Sequence, residues 1–201
     1  MPLDHEQEAA GFLERDFNQC FAQMRHYDAQ IWGICRFTFT GYTALLGISI
    51  GLYKYAMDGG VQLGPAIIAA LGTGVTLGIF MFGLAVRNRA YYVQVTRYVN
   101  EHRRLFLAGN PLGFVNRTRM HTDPARPRFC DWRSSQVWLA NIIALLNAVL
   151  LAVLSVVALG EFRYHVVVLF IITAGVQIGL GSRYLHAEEK RAEFTVTSGD
   201  Q

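Results

Sequence analysis

The chain has 201 residues, 52% of them hydrophobic and 16% charged, with a formal net charge of +3 and a positive mean hydropathy. The charges are clustered, and the gaps between clusters are long enough to span a bilayer, which argues against an ordinary soluble domain and for a small polytopic membrane protein. Cys20, Cys35 and Cys130 are an odd number with no CxxC or paired Cys/His spacing, which argues against a disulfide framework and a structural zinc site.

The first thirty residues are acidic and lack a basic start followed by an apolar core, so no signal peptide is expected and the first span must direct its own insertion. Leu13, Phe17, Cys20, Met24, Tyr27 and Ile31 recur at alternating spacings of four and three, which puts them on one stripe of a helix with Glu14, Asp16, Arg25 and Asp28 off it. This is coiled-coil spacing. Two roles fit: a surface helix packing on its own protein, or a seam between subunits carried by Leu13, Phe17, Met24 and Ile31. A helix lying on lipid fits less well, because such helices favour Lys and Arg on their polar face.

A first span runs from about Phe37 to Tyr55, with Arg36 and Lys54 placed to snorkel into the headgroups. The N-terminal helix is expected to enter it without a break. The turn-forming stretch AMDGGVQLGP leads to Pro65 at a helix start. Pro65 to Val86 is then a run of about twenty uncharged residues, long enough to cross a hydrocarbon core of roughly 30 Å. At Arg87 the pattern changes to RNRAYYVQVTRYVNEHRRLFL, still helix-forming but basic, so this helix is expected to leave the bilayer as a stem. Tyr91, Val95 and Tyr98 share one face of that stem. The following segment is broken by Pro111, Pro124 and Pro127 and reads as an ordered loop or a set of short turns. Span three covers Ser135 to Leu159, GEFRYH turns the chain, and span four runs from Val166 to about Leu180.

Orientation follows from Lys and Arg. Three lie in the N-terminal flank (Arg15, Arg25, Arg36), ten in the central segment from Arg87 to Arg133 and three in the tail (Arg183, Lys190, Arg191), so sixteen share one side against Lys54 and Arg163 on the other. The positive-inside rule then places both termini and the central segment in the cytoplasm. The expected fold is an all-α membrane protein with four transmembrane helices in two hairpins. It divides into a cytoplasmic helix (1–35), hairpin one (36–86), an Arg-rich stem and loop (87–134), hairpin two (135–182) and a tail (183–201). The acidic N-terminal helix and the basic stem are expected to pair as a cytoplasmic helical hairpin.

Three GxxxG pairs stand in three spans: Gly47 and Gly51, Gly74 and Gly78, and Gly175 and Gly179. Small residues four apart let helix backbones approach closely, and in lipid such packing stands in for the hydrophobic effect. It serves contacts within one subunit or between subunits. Asn141, Asn147 and Gln177 are amides placed in hydrocarbon and need partners; interhelical hydrogen bonds or a water-lined path would supply them. No charged residue stands in the middle of a span, which argues against a proton-coupled transporter or a charge-ring channel. Arg87, Arg89, Arg97, Arg103, Arg104, Arg117 and Arg119 are candidates for contact with anionic lipid or an acidic protein partner; nucleic acid is a weaker candidate. No GxSxG, Walker loop, HExxH or DxD-like pattern appears, so neither an enzyme nor a bound cofactor or metal is expected.

Two resemblances bear on function. Arg97 and His102 within RYVNEH resemble the RxxxxH catalytic spacing of HEPN-type ribonucleases, although Tyr98 stands where that family usually has a polar residue and a second helical hairpin is missing. In its organisation, with the helix FLERDFNQCFAQMRHYDAQIW, two hairpins and the Arg-rich centre YVNEHRRLFL, the chain resembles the small four-span membrane effectors of bacterial antiphage defence systems. That resemblance implies a homo-oligomer in the bacterial inner membrane. It also implies a pore-forming, membrane-perturbing or signalling role triggered from the cytoplasm, often through a partner. The alternative is a non-conducting scaffold that anchors a soluble partner.

Overall fold

The computed structural model describes the backbone of residues 2–60, 62–109, 115–117 and 121–199, and among these the side chains from 7 to 193. Four helices follow one another, α1 (Pro2–Gly59), α2 (Gly64–Ala108), α3 (Ser135–Leu159) and α4 (Tyr164–Gly199), and the described residues include no strand. At 1.5 Å per residue, the 58 residues of α1 extend about 87 Å and the 45 of α2 about 68 Å. The N-terminal helix and the first apolar stretch are one unbroken element, as the sequence leads one to expect.

Glycine and proline set the turns. Gly60 takes a left-handed φ of 65° after α1, and Pro65 occupies the first turn of α2, where its missing N–H costs nothing. Gly160, at φ 73°, closes α3 and donates its N–H to the Val156 carbonyl at 2.9 Å. The tail is not a separate segment: α4 runs through it to Gly199.

Helices α1 and α2 lie antiparallel along most of their length. Asp16 sits opposite Tyr98 and His102, Tyr27 opposite Asn88 and Tyr91, and Tyr42 opposite Gly74. Helix α3 packs on both, and α4 lies against α3 and α2. One apolar cluster, with Ile31, Phe82, Ala85, Val93, Phe129 and Ile143 at its centre, ties all three of the first helices to the loop. A second, around Tyr42, Ile67, Leu71 and Leu150, closes the opposite end.

Among the described residues, three helices are long and apolar enough to cross a membrane: α2, α3 and the Tyr164–Glu193 part of α4. Helix α1 falls outside that set. Thr38, Thr40, Tyr42, Thr43, Ser49 and Lys54 dilute its apolar stretch.

Candidate functional site

Two polar centres sit at opposite depths of the bundle. The first lies among α1, α2, α3 and α4. Asn147, fully buried, donates from Nδ2 to Gln177 Oε1 at 2.8 Å and accepts at Oδ1 a short hydrogen bond from the Tyr42 hydroxyl, which also lies 3.2 Å from the Gly74 carbonyl. Gly78 makes this possible. A Cβ there would stand 1.5 Å from the Tyr42 oxygen and 2.1 Å from Asn147 Oδ1. The two amides are thus joined to each other and to a tyrosine by interhelical hydrogen bonds. Asn141 takes no place in this chain; it is half-buried beside Phe82, Val137 and Gly181.

The second centre is where the stem meets the loop. Four consecutive loop carbonyls accept from side chains on one face of α2: Arg126 from Asn100 Nδ2 (2.9 Å), Pro127 from Arg97 Nε (3.0 Å), Arg128 from Arg89 Nη2 (2.7 Å) and Phe129 from Arg89 Nε (3.2 Å). Asn100 Nδ2 also reaches the Asp123 carbonyl at 3.1 Å. From α4, Glu189 pairs with Arg97 and accepts the Phe129 N–H at 2.8 Å, while the Arg97 guanidinium lies over the Phe129 ring, 4.7 Å from its centroid. The segment 126–129 is therefore a strap pinned to two helices by charge-assisted bonds. Burial pulls the pKa of Arg89 below the ordinary arginine value. Cys130, next to the strap, has its thiol pKa pushed up, again chiefly by burial.

Further along the stem, Asp16 Oδ2 accepts from the Tyr98 hydroxyl at 2.9 Å and lies 3.5 Å from His102 Nε2. The hydrogen bond to Asp16 is the main reason Tyr98 is harder to ionise than usual. Arg103 covers the Phe17 and Phe21 rings at 5.9 and 5.7 Å.

No family model, curated protein or solved structure matches the chain.

That geometry redistributes several residues singled out from the sequence. The stripe from Leu13 to Ile31 faces α2 of the same chain: Ile31 is fully buried in the first apolar cluster, Phe17 meets His102 edge to ring, and Leu13 and Met24 are half-buried. Ile31 is thus used up inside the chain, packed against α2, while Phe17, Leu13 and Met24 are covered in part by it. Arg89 (2% exposed) and Arg97 do not lie open on the outer surface of the stem: loop carbonyls hold both, and Glu189 pairs with Arg97. Arg103 lies over rings, Arg87, Arg104 and Arg117 are exposed, and Arg119 lies outside the described residues. Of the glycines, Gly74 and Gly78 meet side chains of α1 and α3, while a Cβ on Gly47, Gly51, Gly175 or Gly179 would meet nothing within 4 Å. The packing expected of those four has no counterpart inside the chain. Arg97 and His102 diverge, one toward the strap and α4, the other toward Asp16 on α1, so the RxxxxH spacing does not gather them at one point.

The strap was missed by sequence reasoning. Arg89, Val93, Arg97 and Asn100 follow one another at helical spacing, and a face with a valine between two arginines was the available signal.

Proposed function

We propose that the chain crosses the membrane four times and is an inner-membrane effector, acting as a homo-oligomer. In this reading its stem and strap face the cytoplasm, receive a ligand or protein partner there, and pass that event to the spans. The observation that carries the reading is the strap itself, pinned to α2 and α4, two helices that both run on into apolar segments long enough to span. Supporting the fourth crossing is the hydrogen bonding of Tyr42 on α1 to Gly74 on α2 and Asn147 on α3, which sets α1 at the depth of candidate spans. On its other sides α1 exposes Phe37, Phe39, Ile48 and Ile50, side chains suited to lipid. Helix α1 is about three times and α2 about twice the roughly 30 Å hydrocarbon thickness, so each must also project beyond it. Sixteen of eighteen basic residues mark the projecting side as cytoplasmic. The open glycine strips on α1 and α4 are surfaces on which copies of the chain can meet.

Reconstitution into dye-loaded liposomes tests the effector reading. Glu189→Gln, which loosens one end of the strap, is expected to release dye faster than the wild-type protein. Silence from both proteins, with insertion verified, removes it. The closed interior of the single chain favours the second reading, a non-conducting scaffold, because its buried amides bond to one another rather than lining a path. That reading predicts that reversing the charge of exposed Arg87, Arg104 and Arg117 abolishes capture of a soluble partner while membrane insertion persists.

A further inference from the structure

A cavity of about 500 Å³ opens where α1, α2, the strap and the start of α3 meet. Its size falls within the range of small-ligand sites, roughly 300 to 1,000 Å³. Its wall carries charges of both signs; Asp123 and Arg126 pair with each other at 3.9 Å, while Arg89, Asp28 and Asp131 have no ion-pair partner within 4 Å among the described residues. Arg89 is 2% exposed, and each of the acceptors it reaches is neutral: the Arg128 and Phe129 carbonyls and, at 3.4 Å, Gln136 Oε1. A buried guanidinium with only neutral acceptors has lost its water without gaining a hydrogen-bonded counter-charge; Asp131 acts on it only through space.

The carboxylates stand on other parts of the wall. Asp28 accepts from Gln136 Nε2 at 2.9 Å, so one amide separates it from Arg89. Asp123 and Asp131 each accept one loop N–H, from Ala125 at 2.8 Å and from Arg133 at 3.0 Å. Asn100, also 2% exposed, lines the same cavity; its Nδ2 serves two carbonyls and its Oδ1 has no hydrogen-bond partner. One side of the wall therefore calls for an anion, and the other for a cation that carries N–H donors. Among the described residues, no three of His, Cys, Asp or Glu stand close enough together to hold a metal ion, so a divalent cation does not fit the second need.

The depth of the cavity narrows the source. Arg89 lies three residues, about 4.5 Å, beyond the end of the apolar run at Val86. Beside the cavity, exposed Trp132 and Trp138 stand together, with Trp138 Nε1 donating to the Trp132 carbonyl at 2.8 Å. Paired tryptophans at the end of an apolar helix mark the level of the lipid headgroups. We propose that this cavity binds a phosphoethanolamine group, its phosphate toward Arg89 and its primary ammonium toward Asp28 and Asp131, supplied by a phospholipid of the surrounding leaflet. The chemistry excludes near relatives. A phosphoglycerol headgroup brings no cation, and a phosphocholine headgroup brings a cation without an N–H.

The inference rests on the four-crossing, cytoplasmic-stem reading above, and deepens it by naming what the stem binds. It is tested on the full chain in nanodiscs of phosphatidylcholine alone, or with added phosphatidylethanolamine or phosphatidylglycerol, with native mass spectrometry and thermal unfolding as readouts. A fourth arm adds soluble phosphoethanolamine to phosphatidylcholine discs. Phosphatidylethanolamine is expected to be retained about tenfold better than the other two lipids, the worth of one charge-assisted hydrogen bond. The double substitution Asp28→Asn and Asp131→Asn, on residues that keep polar contacts as amides, is expected to remove that preference, while Arg104→Gln leaves it intact. Equal retention of the three lipids, with no effect of soluble phosphoethanolamine, overturns the site. Stabilisation by the soluble compound without selective lipid retention supports the site and overturns its lipid source. Failure to enter nanodiscs at all overturns the membrane reading and this lipid source together. Dye-release silence with lipid selectivity intact overturns only the effector reading.

Discussion

Gly78→Ala is the sharpest probe of the bundle. The added methyl would lie 1.5 Å from the Tyr42 oxygen, 2.1 Å from Asn147 Oδ1 and 2.8 Å from Tyr42 Cζ, so tyrosine and amide cannot both stay in place. Overpacking of this kind costs about 1–3 kcal/mol. Loss of an interhelical hydrogen bond in lipid adds about 1 kcal/mol. The gain in helix propensity from replacing Gly by Ala returns about 1 kcal/mol, leaving a net destabilisation of about 1–3 kcal/mol. Gly47→Ala is the control, since nothing lies within 4 Å of its Cβ position and only the favourable propensity change remains. Unfolding by SDS in bicelles, followed by helical circular dichroism, separates the two variants. Adding Tyr42→Phe to Gly78→Ala removes the atom in the closest clash, and the pair should cost less than the sum of the single changes because both delete the same hydrogen bond. If Gly78→Ala proves as mild as Gly47→Ala, then Tyr42 does not face Gly78, and the case for α1 lying at the depth of α2 and α3 fails with it.

Glu189→Gln leaves the Arg97 guanidinium without its carboxylate and weakens the acceptor of the Phe129 N–H. At about 2 kcal/mol for this partly buried pair, amide exchange at Phe129 should accelerate roughly thirtyfold; an unchanged rate would mean that the strap is held by something else. Because burial raises the thiol pKa of Cys130, the folded chain favours its neutral form. Its contribution to stability is therefore complete below the ordinary thiol range and declines as pH rises through the raised value, and Cys130→Ser should flatten that decline in a pH series of thermal unfolding. In intact cells, Arg126→Cys is expected to resist a membrane-impermeant maleimide that labels Arg163→Cys; labelling of both from outside contradicts the cytoplasmic stem.

The apolar runs, the turns at Gly60 and Gly160 and the unbroken passage from N-terminal helix into apolar segment were legible because each depends on local composition. So was the pairing of the Leu13–Ile31 stripe with something, since its 3–4 spacing requires a partner. Which partner was not legible. The choice between α2 of the same chain and another subunit depends on the lengths of α1 and α2 past the apolar segments, and on contacts such as Tyr27 to Asn88 that join residues far apart in sequence. The arginines misled for a related reason. Composition assigns an Arg cluster to water or lipid, yet Arg89 and Arg97 turn inward because a proline-broken loop brings a row of unbonded carbonyls within reach of one helical face. The glycines divide the same way: Gly74 and Gly78 differ from Gly47 and Gly51 only in what stands opposite.

The two polar centres respond differently to their surroundings, and that difference indicates where the molecule can be switched. In the bundle, Tyr42, Asn147 and Gln177 are neutral and bond to one another in a region where no water competes, so opening them leaves unsatisfied groups in an apolar setting. At the strap the donors are largely charged, the acceptors are backbone carbonyls, and an open cavity adjoins them. Exchange of one such acceptor for another anionic or carbonyl oxygen conserves the number of hydrogen bonds and need not leave a charge bare. A ligand that reaches Arg89 can therefore loosen segment 126–129 at modest cost, whereas the Tyr42–Asn147–Gln177 centre must move as a unit. Any signal this chain transmits should begin at the strap and reach the spans through α2 and α4, the helices to which the strap is pinned.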